Sequence, residues 1–152
     1  MLPVKQIIPP LTLHATDGRT VHAWDFKQKK NLVIVFLDAD CELCEGFLRR
    51  LKENAADLHT KESVALVVYL ETPLRAIADG LPAEIVVGSD VPGRGVCAFL
   101  GEEALSSRGL GRRGVFVTDR YGELAAQWIA KDHELPAVGE ILACLSHLES
   151  IC

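Results

Sequence analysis

Two stretches of the chain are apolar without alternation. Leu32–Leu37 and Val64–Leu70 each form an unbroken block of β-branched, aliphatic and aromatic residues, the pattern of a strand covered on both faces. Between them the period changes. From Cys41 to about Leu58, Leu43, Phe47, Leu48, Leu51, Ala55 and Leu58 recur at three- and four-residue steps, while Arg49, Arg50, Lys52 and Glu53 lie largely on the other side. That spacing predicts an amphipathic helix.

The flanking segments extend the pattern. Pro9-Pro10 closes an irregular N-terminal arm, and Leu11–Leu13 and Val21–Trp24 around the Asp17-Gly18 turn predict a short hairpin. Thr72-Pro73 reads as an N-cap followed by proline at the first helical position, opening a short helix to Asp79. Glu84–Val87 predicts a strand and Gly95–Leu100 a helical turn. Val115–Thr118 and Leu124–Ile129 flank Asp119-Arg120-Tyr121-Gly122 as a second hairpin. A last helix starts near Pro136 and buries Val138, Ile141, Leu142, Leu145 and Leu148. The order is β-α-β-α-β, a hairpin, then α. Two buried strands joined by a helix imply a parallel pair with a right-handed crossover. The expected fold is α/β and thioredoxin-like, with a central mixed β-sheet, helices on both faces and an N-terminal extension, in a single domain spanning 1–152.

Composition narrows the function. The chain of 152 residues is 49% hydrophobic and 24% charged, with a formal charge of −5, so neither nucleic acid nor an anionic membrane is the expected partner. The two apolar blocks are too short to span a bilayer. Met1 to Leu13 carries three prolines and no sustained apolar run, so no signal peptide is expected and the expected location is cytoplasmic. Five cysteines, an odd count without an export signal, do not read as a disulfide scaffold.

The most informative feature is Cys41-Glu42-Leu43-Cys44, between a buried strand and an amphipathic helix. A two-residue gap lets both sulfurs share the first helical turn. There, unpaired N–H groups and the partial positive charge of the helix end stabilise a thiolate. One thiolate attacks a disulfide or peroxide and the other closes the bond. Asp38, Asp40, Glu42 and Glu45 lie close in sequence and oppose ionisation, which predicts less acidic thiols and a couple toward the reducing end. The competing readings are half of a zinc site, with Cys144 and His147 on the last helix as the other half, and a redox-inactive domain that binds or carries metal. Cys144 is explained by the edge of the apolar stripe. Cys97 reads as a packed residue of its turn or a distant resolving thiol, and Cys152 as a terminal thiol. His14, His22, His59 and His133 fall in loops or at element ends, and Trp24 and Trp128 read as core or rim aromatics.

With these residues placed, the chain resembles the redoxin group of the thioredoxin superfamily, the peroxiredoxins of alkyl hydroperoxide reductase and thiol-specific antioxidant type, from about Leu11 to Leu148. Val86-Val87-Gly88-Ser89-Asp90 and Cys97-Ala98-Phe99-Leu100-Gly101 look like the family's strand, Ser-Asp and helical turn. Arg113-Gly114-Val115-Phe116-Val117-Thr118-Asp119 with Gly122 looks like its Arg-Gly-x-Phe-x-x-Asp strand and turn. In the family a Pro-x-x-x-Thr-x-x-Cys run holds the peroxide-reactive cysteine. Matching that cysteine to Cys44 puts Cys41 at the threonine and Leu37 at the proline, whereas matching it to Cys41 puts Asp38 at the threonine. The family's active-site arginine matches Arg113, at the end of the Arg108–Gly114 stretch that reads as the rim of the site. The resemblance implies a thiol-dependent oxidoreductase acting on disulfides or peroxides, with Cys41, Cys44 and Arg113 as site residues and no cofactor or metal. Its implied partner is a thiol reductant such as a thioredoxin or glutathione system, and an oligomer is compatible with it.

Overall fold

The computed structural model describes residues 2–38, 41–70, 80–90, 93–101, 104, 113–130 and 135–151. The elements follow in order: β1 (Thr12–Ala15), β2 (Thr20–His22), a 3-10 turn (Ala23–Phe26), β3 (Asn31–Leu37), α1 (Glu42–Glu53), α2 (Ala55–Thr60), β4 (Ser63–Tyr69), β5 (Ile85–Ser89), α3 (Arg94–Leu100), β6 (Arg113–Thr118), β7 (Leu124–Ala130) and α4 (Val138–Ile151). The helix expected over Thr72 to Asp79 lies outside the described residues.

The strands form a mixed seven-stranded sheet in the order β2-β1-β5-β4-β3-β6-β7. Strands β3, β4 and β5 run parallel, and β6 is antiparallel to β3, as β7 is to β6 and β1 to β5. The unalternated blocks are the central strands: every residue of β3 and β4 is buried. Their alternate side chains feed two cores. Val33, Val35, Leu37, Ala65, Val67 and Tyr69 pack with α1 and α4 on one face. Ile34, Phe36, Leu66 and Val68 pack on the other with α3 and the β1–β2 hairpin. On that second face Phe36, Phe99 and Phe116 meet with centroids 5.1 to 5.9 Å apart, tilted or edge-on as ring quadrupoles prefer.

Two local features differ from the sequence expectation. The helix expected from Cys41 to Leu58 is two helices. It breaks at Asn54, whose φ of −105° and ψ of 18° leave the helical basin, and whose side-chain amide and backbone N–H both donate to the Arg50 carbonyl. Leu43, assigned to the buried stripe, is 46% exposed. The stripe is instead Cys44, Phe47, Leu48 and Leu51, all buried, because Cys44 lies three, four and seven residues before the other three and so shares their face. At the sheet's other end, Gly88 lets β1 approach β5, since a Cβ there would lie 2.7 Å from the His14 carbonyl oxygen.

Candidate active site

The site forms where β3 ends and α1 begins. Leu37 pairs with Tyr69 of β4 and Phe36 with Gly114 of β6, so the chain leaves the sheet at a fixed point and turns into the helix. Cys41 is the N-cap, with extended dihedrals of −150° and 113°. Its sulfur accepts the Cys44 backbone N–H at 3.2 Å, taking the place of the oxygen of an ordinary serine or aspartate cap. An anionic sulfur there is opposite the positive end of the helix.

The two cysteines have different surroundings. Cys41 is half-buried and Cys44 has no exposed surface. Both carry free thiols, as do Cys97 and Cys144. Burial pushes the Cys44 thiol from its ordinary value near 9.0 up to about 12. Its hydrogen bond with Cys41 and the charges of Cys41 and Asp38 add to this, while a backbone hydrogen bond at Asp38 acts the other way. The expected shift toward less acidic thiol thus holds for Cys44, with desolvation as its first cause. Glu42 and Glu45 are exposed, and Asp40 lies outside the described residues.

Arg113, the first residue of β6, reaches the same point from the neighbouring strand. It is 2% exposed. Its Nη1 lies 4.0 Å from the Cys41 sulfur and its Nε 3.8 Å from Asp38 Oδ2. The Nε has no hydrogen-bond partner among the described residues, so a buried cation faces the sulfur with a donor in reserve. Gly114 follows it with little room for a side chain, since a Cβ there would meet Leu100 at 2.9 Å. The tight fit of the end of α3 against β6 helps hold Arg113 in register.

The structure thus brings together Cys41, Cys44 and Arg113, and adds Asp38 and Tyr69 at the ends of β3 and β4. Sequence reasoning named Asp38 as one of several acids and, in one of the two motif alignments, as the residue at the family's threonine position. Its place immediately after a buried strand was the available signal. Tyr69 was absorbed into an apolar block. Cys144 packs at the edge of the core that also holds Cys44, and burial raises its thiol. Among the described residues, no three His, Cys, Asp or Glu side chains come together as a metal site, and no helix is long and apolar enough to cross a membrane. Residues 108–112 of the expected rim, His133 and Cys152 lie outside the described residues. An apolar depression lined by Ile7, Trp24, Leu32 and Tyr121 sits at the opposite end of β3 from the cysteines.

Comparison with known proteins decides the family. The profile of the AhpC/TSA family matches residues 4–127. The chain belongs to the AhpC/TSA family. Three solved structures show how closely this AhpC/TSA member keeps the fold. The reduced 2-Cys peroxiredoxin of Plasmodium vivax has a TM-score of 0.78 at 15% identity, covering 97% of each chain. The mitochondrial 2-Cys peroxiredoxin of Plasmodium falciparum also reaches 0.78 at 15% identity, over 98% of this chain and 95% of the other. The yeast mitochondrial 1-Cys peroxiredoxin, described with a thiol-resolving mechanism through glutathione and thioredoxin systems, has a TM-score of 0.76 at 12% identity, over 99% and 78%. No protein of curated function matches the sequence significantly. Membership makes this AhpC/TSA protein a thiol-dependent peroxidase of the thioredoxin-like fold, drawing on a thiol reductant and a peroxide.

The raised Cys44 value gives stability a pH dependence. The folded state holds a proton that the unfolded chain releases near pH 9, so between about pH 9 and 12 the unfolded chain binds fewer protons. This contribution is complete below pH 9 and falls as pH climbs through that window. Denaturant midpoints measured at stepped pH should fall there, and less steeply in Cys44→Ala. Parallel curves for the two proteins would refute the assignment.

Proposed function

We propose that Cys41 is the attacking thiol and Cys44 the resolving one. One observation carries this: Cys41 is the partly exposed residue of the pair and its sulfur sits at a helix N-cap beside the Arg113 guanidinium, while Cys44 is sealed in the core. A nucleophile needs access and a cation near it, and Cys41 has partial exposure and the Arg113 guanidinium beside its sulfur.

The cycle balances as follows. The Cys41 thiolate attacks the distal oxygen of a hydroperoxide, the O–O bond breaks, and the leaving alkoxide takes a proton to become an alcohol or water. Cys41 is now a sulfenic acid. The Cys44 sulfur attacks it, forming the Cys41–Cys44 bond as water leaves. An external dithiol or glutathione couple then reduces the disulfide by exchange. Arg113 stabilises the thiolate and offers its spare N–H to the polarising peroxide oxygens. We place this cycle in the cytoplasm, where a thiol pool restores the pair. Tests of the reductant compare thioredoxin-type and glutathione donors, and sedimentation reads the oligomeric state.

Adding one equivalent of hydrogen peroxide and mapping the cysteines by mass tests the assignment. A Cys41–Cys44 bond is the expected product. A sulfenic acid that persists on Cys44 would reverse the roles, and no change would identify a retired site.

A further inference from the structure

Away from the thiols, three segments meet at the start of β3: the N-terminal arm, the 3-10 turn with the residues after it, and the turn between β6 and β7. Backbone hydrogen bonds tie them together. Gln28 donates to the Arg120 carbonyl at 2.6 Å, and Ile8 to the Gly122 carbonyl at 3.0 Å. Gln28 holds a φ of 66°, a left-handed conformation unfavourable for a residue with a side chain, so the surrounding contacts fix this turn. Between the three segments lies a depression of about 360 Å³, open to solvent, at the small end of the range for small-molecule sites.

Its walls are apolar and uncovered. Ala23 and Leu32 line it from within the core, and Ile7, Trp24 and Tyr121 line it from outside, each more than half exposed. These are three of the six large apolar side chains left exposed among the described residues, gathered at one place. The charges at the rim are mostly satisfied. Lys30 pairs with Glu62 at 2.8 Å and Arg120 with Glu149 at 3.3 Å, while Asp119 Oδ1 accepts the Tyr121 and Glu123 N–H groups. Lys27 differs. Its ammonium lies 4.6 Å from the centroid of the Trp24 ring, and no carboxylate among the described residues pairs with it.

We propose that this depression binds a small amphipathic carboxylate, its alkyl body lying against Ile7, Trp24 and Tyr121 and its anion on Lys27. The apolar walls gain by losing water to such a body, and the ligand's single charge matches the one rim cation without a counter-ion. The run Lys27-Gln28-Lys29-Lys30 makes this turn locally positive on a chain of net charge −5, which draws an anion here rather than elsewhere on the surface. Lys27 already covers one face of the Trp24 ring, which suits a flexible alkyl chain better than a stacked aromatic one. The site is separate from the thiol cycle. From Leu32, at the depression, to Leu37, where β3 ends before the cysteines, the strand runs about 17 Å.

Titrating the full chain with decanoate, kept below its micelle concentration, and following amide and indole N–H signals by NMR tests the proposal. The Trp24 indole and the amides of Ile7, Lys27 and Tyr121 should shift saturably, while the Trp128 indole on β7 stays in place. Neutral 1-decanol should bind the same residues more weakly. Lys27→Met should weaken decanoate about fivefold, the upper end for an exposed ion pair, and leave decanol unchanged. Trp24→Ala, read from the amides, should weaken both, and Ile7→Ser serves in its place if that variant melts early. Peroxide consumption should stay native in all three variants, because none of these residues belongs to the thiol site. The absence of a saturable shift overturns the proposal, as does equal affinity for decanoate and decanol or indifference to Lys27→Met. Shifts of the same amides on raising protein concentration alone would also overturn it, since the occupant would then be a second copy of the chain.

Discussion

Cys41→Ser is expected to abolish peroxide consumption, lowering turnover by roughly a thousandfold or more, while Cys44→Ser should still consume about one equivalent and then stop. The contrast follows from the unequal surroundings of the two sulfurs. Cys41 caps the helix and accepts the Cys44 N–H, so serine there preserves the cap and the fold but replaces a thiolate with a hydroxyl that does not ionise near neutrality. Cys44 is closed off from solvent and reacts only with the sulfenic acid formed on Cys41. Its loss leaves the first oxidation intact and strands Cys41 as a sulfenic acid. Peroxide consumption against equivalents added, with mass analysis of the product, checks both. A Cys44→Ser protein that consumes no peroxide, beside an active Cys41→Ser protein, would invert the mechanism.

Arg113→Met should lower the second-order rate with peroxide by about a hundredfold, the scale of removing one preorganised charge-stabilising donor. Methionine fills much of the same buried volume, so the packing against β3 is largely kept. What goes is the cation 4.0 Å from the Cys41 sulfur and 3.8 Å from Asp38. Asp38 then stands beside the sulfur with its carboxylate no longer balanced by Arg113, which disfavours the thiolate further. Arg113→Lys should recover part of the rate, because a point charge replaces a fork of donors. The rate against peroxide concentration, measured at fixed ionic strength, separates the three proteins. A native rate in Arg113→Met would remove the guanidinium from the mechanism.

How much of the site was legible depended on whether a residue's role is local. The Cys41-x-x-Cys44 spacing, the strand before it and the helix after it were readable because strand blocks and helix periods are short-range patterns. The same periodicity, followed one residue more strictly, would have placed Cys44 rather than Leu43 on the buried face. The break at Asn54 was harder, since an asparagine inside a helical pattern does not by itself show where its amide will bond, here to the Arg50 carbonyl. Tyr69 was invisible as a polar residue, because within Val64–Leu70 it counted as one more apolar position.

Sequence alone determined the central strands, the thiol pair at a strand-to-helix junction and a resemblance that pointed to Arg113. These are encoded in contiguous residues, where local sterics and periodic burial operate. Only the tertiary structure decided which cysteine is open and which is sealed, and that Arg113 reaches both Cys41 and Asp38. Burial and register are properties of how distant strands align across a sheet, and no segment of the chain carries that alignment by itself.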